Sequence, residues 1–194
     1  MRHALRHRHT LVALLFAAVT VPSRTTGLLG AQGAPTSTPV PAAGFVVKHE
    51  VQVKAAPART WEALLQVGRW WNPSHSWSGD AKNLTIDPRV GGCFCETLPG
   101  GGGVEHLRVV FFKPNELLRM AGALGPLQTM GATGHFAVQL TADGTGTRIA
   151  ASYIVGGWSE GGLDKMGPLV GMVLREQIDR LARYIDTGSP TAPK

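Results

Sequence analysis

The sequence predicts an α+β domain in which a curved antiparallel sheet of about seven strands wraps around one long C-terminal helix. Three observations carry this expectation. From Phe45 to Val155, short runs alternate apolar and polar residues and are separated by Gly, Pro, Asp or Asn, the pattern of half-buried strands. From Met166 to Asp186 the period changes: Met166, Leu169, Val170, Val173, Leu174, Ile178, Leu181, Tyr184 and Ile185 recur at spacings of three and four. That is an amphipathic helix of about five turns. A sheet of that size buries one face, and this helix is the one element large enough to cover it.

The elements follow in order. Phe45 to Val53, FVVKHEVQV, is a strand with Phe45, Val47, His49, Val51 and Val53 on one face. Pro57 then opens a short helix running through Thr60 to Val67, where a missing N–H does no harm, and Gly68 is expected to end it. Arg69 to Asp80, RWWNPSHSWSGD, is too rich in Pro, Ser and Gly for regular structure and reads as a loop or a broken second helix. Six further strands are expected at Asn83 to Asp87, Cys93 to Leu98, Val104 to Phe112, Leu117 to Leu124, Thr133 to Thr141 and Thr147 to Val155. Pro99 to Gly103 and Ala142 to Gly146 are hairpin-type connections. The Gly-rich run lacks the helix and Lys that a phosphate loop needs. Pro168 fits only the first turn of the last helix.

Composition bounds the function. The chain has 194 residues, 43% of them hydrophobic, with only 2 Cys, which excludes wholesale disorder and a disulfide-stapled scaffold. The net charge of +6 would suggest nucleic acid, but Arg2, Arg6, Arg8 and Arg24 precede the first carboxylate, Glu50. Without those four, 15 basic residues face 13 acidic ones, so a nucleic-acid partner loses its support. An Arg/His-rich start followed by the uncharged run Leu11 to Val21 is the order of a secretory signal, too short for a membrane span. Residues 1–34 are therefore expected to be a signal peptide, 35–44 a flexible linker, 45–187 the folded domain and 188–194 a disordered tail. The mature protein is expected in the periplasm or outside the cell, without a stable membrane span.

Motifs along the folded part carry a resemblance. Val51 to Leu64, VQVKAAPARTWEAL, runs a strand through a Pro turn into a helix bearing an aromatic; Asp87 to Phe94, DPRVGGCF, opens a strand on a Gly pair. Phe111 to Leu118, FFKPNELL, is a Pro-centred turn, and Gly156 to Gly162 precedes the long helix. In this order they resemble the helix-grip fold of the START/Bet v 1-like (SRPBCC) superfamily, nearest to bacterial proteins like the Aha1 C-terminal domain and to polyketide cyclase-like proteins. The resemblance implies a cavity between sheet and long helix that holds apolar small molecules. It fixes no reaction, because members bind, transport, cyclise or regulate.

Strand alternation nominates the lining. The inward rows contain Leu107, Val109 and Phe111; Phe136, Val138 and Leu140; and Ile149, Ala151, Tyr153 and Val155. His49 and Tyr153 are the polar members, with Glu105 at the end of its row, and a buried polar group needs a partner, water or ligand. Apolarity does not choose between the two faces of Cys93 to Glu96; the family pattern, an inward aromatic after Gly-Gly, favours Phe94 and Glu96 inward with Cys93 and Cys95 outward, and the opposite facing would put the Cys pair in the cavity. Three of the five tryptophans fall in Trp70, Trp71 and Trp77, around His75, and form either a plug at one end of the fold or an aromatic lip at the cavity mouth. Gly122 to Gln128 and Trp158 are the opposite lips.

The expected ligand-binding set is thus Trp70, Trp71, His75, Trp77, Phe94, Glu96, Val109, Phe111, Phe136, Tyr153 and Trp158, taking an apolar or aromatic small molecule or a lipid. No cofactor is expected. C-x-C is not the zinc-knuckle spacing, so no metal is expected, a site with His75, His106 or His135 being the alternative; an intrachain Cys93–Cys95 bridge reads as strained. One rival reading is a cyclase- or hydrolase-like enzyme using Glu96, His49 and Tyr153, and another is an Aha1-like interaction domain. The oligomeric state is not legible.

Overall fold

A computed structural model describes residues 43–192, so the expectations for the leader and most of the linker lie outside the described residues. The strands are β1 (Gly44–Val53), β2 (Leu84–Ile86), β3 (Cys93–Thr97), β4 (Gly103–Lys113), β5 (Leu117–Gly122), β6 (Gly131–Asp143) and β7 (Gly146–Trp158). They form one antiparallel sheet in the order β1-β7-β6-β5-β4-β3-β2. Every strand from β3 on pairs with the one before it in sequence, and β1 pairs with β7, so the β2–β7 meander is extended by the first strand, with β1 and β2 at the two edges. The two-residue loop between Asp143 and Gly146 has Gly144 at φ 59°, a conformation open to glycine in so tight a turn.

Three helices accompany the sheet: α1 (Pro57–Leu65), α2 (Val67–Trp70) and α3 (Gly167–Thr187). Instead of ending the first helix, Gly68 lies inside α2, packed so closely that a Cβ would sit 2.9 Å from the Ala81 carbonyl oxygen. Helix α3 starts with Pro168 in its first turn and ends at Gly188, whose φ of 78° and N–H bond to the Tyr184 carbonyl make a left-handed cap. Gly167 and Gly171 lie over Phe45 and Val47 of β1, and a Cβ on Gly167 would approach Phe45 to 3.1 Å. The absent side chains let the helix lie close against the first strand.

Leu174, Ile178 and Leu181 are the buried apolar face of α3, and they join Val138, Ile149, Tyr153 and the other inward sheet residues in one core. Each such side chain contributes about 1.5–3 kcal/mol on burial, so the central turns of α3 act as the clamp. Under those turns the crevice between Val47, His49, Phe136 and Tyr153 below and Leu174 and Ile178 above has no room for a water molecule. Open space lies at the N-terminal end of α3 instead. Among the described residues no helix is long and apolar enough to cross a membrane.

Strand β4 departs from simple alternation twice. Phe94 faces Leu107 but Cys95 faces Glu105, so His106 is an extra residue; Val109 faces Met120 but Phe111 faces Arg119, so Val110 is another. Each bulge re-aims the side chains beside it. The first turns His106 inward beside Leu107 and leaves Glu105 exposed, paired with Arg108. The second puts Phe112 against the core and Phe111 outside, 43% exposed with Arg119 over its ring. The inward placement expected for Glu105 and Phe111 is corrected on these grounds.

Candidate functional site

A cavity of about 340 Å³ opens at the N-terminal end of α3. Its walls come from three places. Trp71 and the segment Ser74–Trp77 form one side, His106 with Leu124–Pro126 forms another, and Met166, just before α3, with Leu169, Val170, Val173 and Leu174 of α3 closes it. The surface is mostly hydrocarbon and indole, with two imidazoles and two hydroxyls set into it.

Helix α3 fixes the first wall. Arg180 donates from Nε to the Trp70 carbonyl at 2.8 Å and from Nη2 to the Trp71 carbonyl, satisfying the free end of α2. The Asn72 N–H donates to Gln177 Oε1 at 2.8 Å, and Asn72 Nδ2 donates to Glu176 Oε1. Held at both sides, the chain turns sharply, so the adjacent tryptophans part. Trp70 goes into the core, its indole N–H donating to the Ala63 carbonyl at 3.0 Å. Trp71 goes to the cavity, with its own N–H on the His75 carbonyl at 2.9 Å. Glu176 also lies 3.2 Å from His75 Nε2.

The second wall is anchored by Tyr153. Its hydroxyl donates to the Gly122 carbonyl at 3.0 Å and accepts from the Leu124 N–H at 3.1 Å. That pair of bonds fixes the start of the Leu124–Pro126 lip. Burial pushes the Tyr153 phenol above its ordinary value, although the Leu124 bond pulls the other way.

Between the walls lies a buried acid and base pair. Glu96 is 2% exposed and His106 6%, with His106 Nε2 at 3.0 Å from Glu96 Oε2. The same carboxylate accepts from the Trp77 N–H at 3.0 Å and the Ser78 N–H at 2.5 Å. Burial pushes Glu96 upward, but the bonds from Ser78, Trp77 and His106 outweigh it and hold the carboxyl below its ordinary value. Burial lowers His106 below the usual histidine range, against the pull of Glu96. At neutral pH the pair is therefore an ionised Glu96 and a neutral His106. Since a carboxylate only accepts, Nε2 carries the imidazole hydrogen and Nδ1 is an acceptor. Phe94 lies under this pair, 5.1 Å ring to ring from His106 and edge-on to Trp71 at 5.5 Å.

Of the residues expected from sequence to bind ligand, Trp71, His75 and Trp77 line the cavity. Trp70, Phe94, Val109, Phe136 and Tyr153 are buried behind or away from it and do not line it, because the central turns of α3 fill the middle of the sheet. Glu96 acts from behind, through His106 and the 77–78 backbone. Trp158 is 62% exposed at the end of β7, opposite Gly131, and outside the cavity, as Phe111 is. His49, Glu96 and Tyr153 do not converge: His49 Nε2 is bonded to Asp179 at 2.7 Å, and Tyr153 to the lip backbone. The residue that sequence reasoning missed is His106, since plain alternation around Leu107 points it to solvent. Cys93 and Cys95 do face outward, paired as a disulfide with Cα atoms 5.3 Å apart. Their sulfurs lie near the Glu105 carboxylate.

The arrangement of sheet, long helix and end cavity decides the architecture. The chain has the helix-grip fold. Solved helix-grip structures similar to it include Mll3558 from Rhizobium loti, at 22% identity and TM-score 0.54, covering 72% of this chain and 95% of that one. CalU16 from Micromonospora echinospora matches at 17% identity and TM-score 0.51, covering 77% and 82%. DynU16, a putative protein of the dynemicin biosynthetic locus, matches at 20% and 0.54, covering 75% of this chain and 48% of DynU16. The Aha1 dimer from Colwellia psychrerythraea shares the grip as well, at 20% identity and TM-score 0.50, covering 74% and 98%. No protein-family model matches the chain, and no curated protein matches its sequence.

Proposed function

We propose that this is an exported helix-grip protein that binds an apolar or aromatic small molecule, or a lipid chain, in the cavity at the N-terminal end of α3. The observation that carries the reading is the cavity itself. At about 340 Å³ it has the size of a small-molecule site, and indole and aliphatic surface with a few placed polar groups is the usual lining of one. Export rests on the basic start and the apolar run Leu11 to Val21. Joint catalysis by Glu96, His49 and Tyr153 has no geometric support, since each is bonded to a different part of the fold.

The test is mass spectrometry of small molecules extracted from the purified protein, beside a Val173→Lys variant that puts a charged chain into the cavity wall. An apolar compound recovered with the parent and absent from the variant supports the reading. Equal recovery from both would place the compound elsewhere. Subcellular fractionation of the producing cell tests export, and protein found in the cytoplasm would count against it.

A further inference from the structure

Most polar groups of the inner cavity wall share a property: their hydrogens are already used. Ser74 Oγ donates to Asn72 Oδ1 at 2.9 Å, and Ser76 Oγ donates to the Pro73 carbonyl at 2.8 Å. Trp71 Nε1 donates to the His75 carbonyl. The backbone N–H groups of Ser74, His75, Ser76, Trp77 and Leu124 are bonded to Asn72 Oδ1, the Asn72 and Pro73 carbonyls, Glu96 and Tyr153 in turn. His106 gives its Nε2 hydrogen to Glu96. What remains toward a ligand is lone pairs, foremost those of His106, whose Nδ1 has no partner among the described residues and whose ring borders both this cavity and a more open groove lined by Gly103, Val104, Glu105, Gly122, Ala123 and Gln128. The side-chain donors left over are at the rim: the indole N–H of Trp77, on a ring 50% exposed, and the imidazole of His75.

Charge points the same way. Two carboxylates, Glu96 and Glu176, stand behind the two imidazoles, so an anionic head group entering the cavity meets negative charge at both. A cation finds little better, because the Glu96 oxygens already serve three donors, Glu176 Oε1 accepts from Asn72 and Oε2 lies 3.2 Å from His75 Nε2. An ion buried without a partner is costly, whereas a neutral hydroxyl needs only one acceptor.

We infer that the cavity selects a neutral apolar molecule carrying a hydroxyl donor, a phenol or alcohol, whose hydrogen is accepted by His106 Nδ1, and that it turns away carboxylates. This rests on the cavity being a binding site. A matched series tests it on the full chain at neutral pH: β-naphthol, its methyl ether, β-naphthoate and β-naphthylmethylammonium, followed by quenching of tryptophan fluorescence. β-Naphthol should bind about tenfold or more tightly than each of the others, the scale of one hydrogen bond to an otherwise unpaired buried acceptor. In His106→Phe the preference for β-naphthol over its methyl ether should disappear. Proton–nitrogen correlation spectra of the parent should show His106 protonated on Nε2, a readout that needs no variant. Equal binding across the series, preference for the naphthoate, a preference retained in His106→Phe, or an Nδ1-protonated imidazole each overturns the inference and leaves the cavity reading standing. Binding by no member of the series overturns both.

Discussion

Replacing Glu96 with alanine is the sharpest perturbation of this structure. The carboxylate satisfies three donors: the N–H groups of Trp77 and Ser78, and His106 Nε2. The first two belong to a surface segment and can turn to water at a cost of a few tenths of a kcal/mol each. The third cannot, because His106 is 6% exposed, and an orphaned buried donor costs about 1–3 kcal/mol. The total is about 2–4 kcal/mol, below the 3–5 kcal/mol expected for splitting a buried ion pair, since His106 is neutral. For a domain of this size that lowers Tm by roughly 5–15 °C. Urea unfolding of the full chain should show a lower midpoint at unchanged slope, and amide exchange at Trp77 and Ser78 should accelerate. Glu96→Gln, which keeps one acceptor oxygen, should fall between. A loss under about 0.5 kcal/mol with those amides still protected would refute the claim that Glu96 holds the wall and the imidazole together.

Both members of that pair have depressed folded-state values, so both give stability that is lost in acid. As pH falls below the ordinary histidine value of 6.5, the unfolded chain protonates its histidine before the folded one, and stability declines; below the ordinary glutamate value of 4.5 the same happens at Glu96. Urea midpoints across that range should fall in His106-containing protein and fall less in His106→Phe, and a parallel profile would reject the assignment. Tyr153→Phe leaves the Gly122 carbonyl and Leu124 N–H unpaired, so it should cost about 1–2 kcal/mol and weaken binding at the lip, measured by denaturation and by tryptophan quenching. Phe111→Ser, on the outer face, should cost under about 1 kcal/mol and leave ligand affinity unchanged; lost affinity would mean that β4 faces the other way.

Most of the fold was legible because its strands alternate and its last helix does not. Phe45 to Val53 and Thr147 to Val155 read correctly because β1 and β7 pair over ten residues without an irregularity. The site was less legible, for two physical reasons. Strand β4 carries two extra residues, and nothing in GVEHLRVVFFK marks where the ladder slips, so His106 and Phe111 were placed on the wrong faces. The split of Trp70 from Trp71 depends on Glu176, Gln177 and Arg180, more than a hundred residues away, which no local pattern connects to them. Trp71, His75 and Trp77 border the cavity, a position that their clustering beside a Pro–Ser loop suggests.

The extra residue at His106 also says how such a cavity changes over evolutionary time. Most routes to a new polar centre in an apolar core pass through substitutions that weaken the core before anything is gained. Here the centre depends on chain length at one point: deleting a single residue restores the regular ladder between β3 and β4 and sends the imidazole to solvent, while β1, β7 and α3 keep every contact with each other. Acquiring or discarding the acceptor is thus a matter of one codon, inserted or lost, with the adjustment confined to the buried Glu96 carboxylate that loses its imidazole partner.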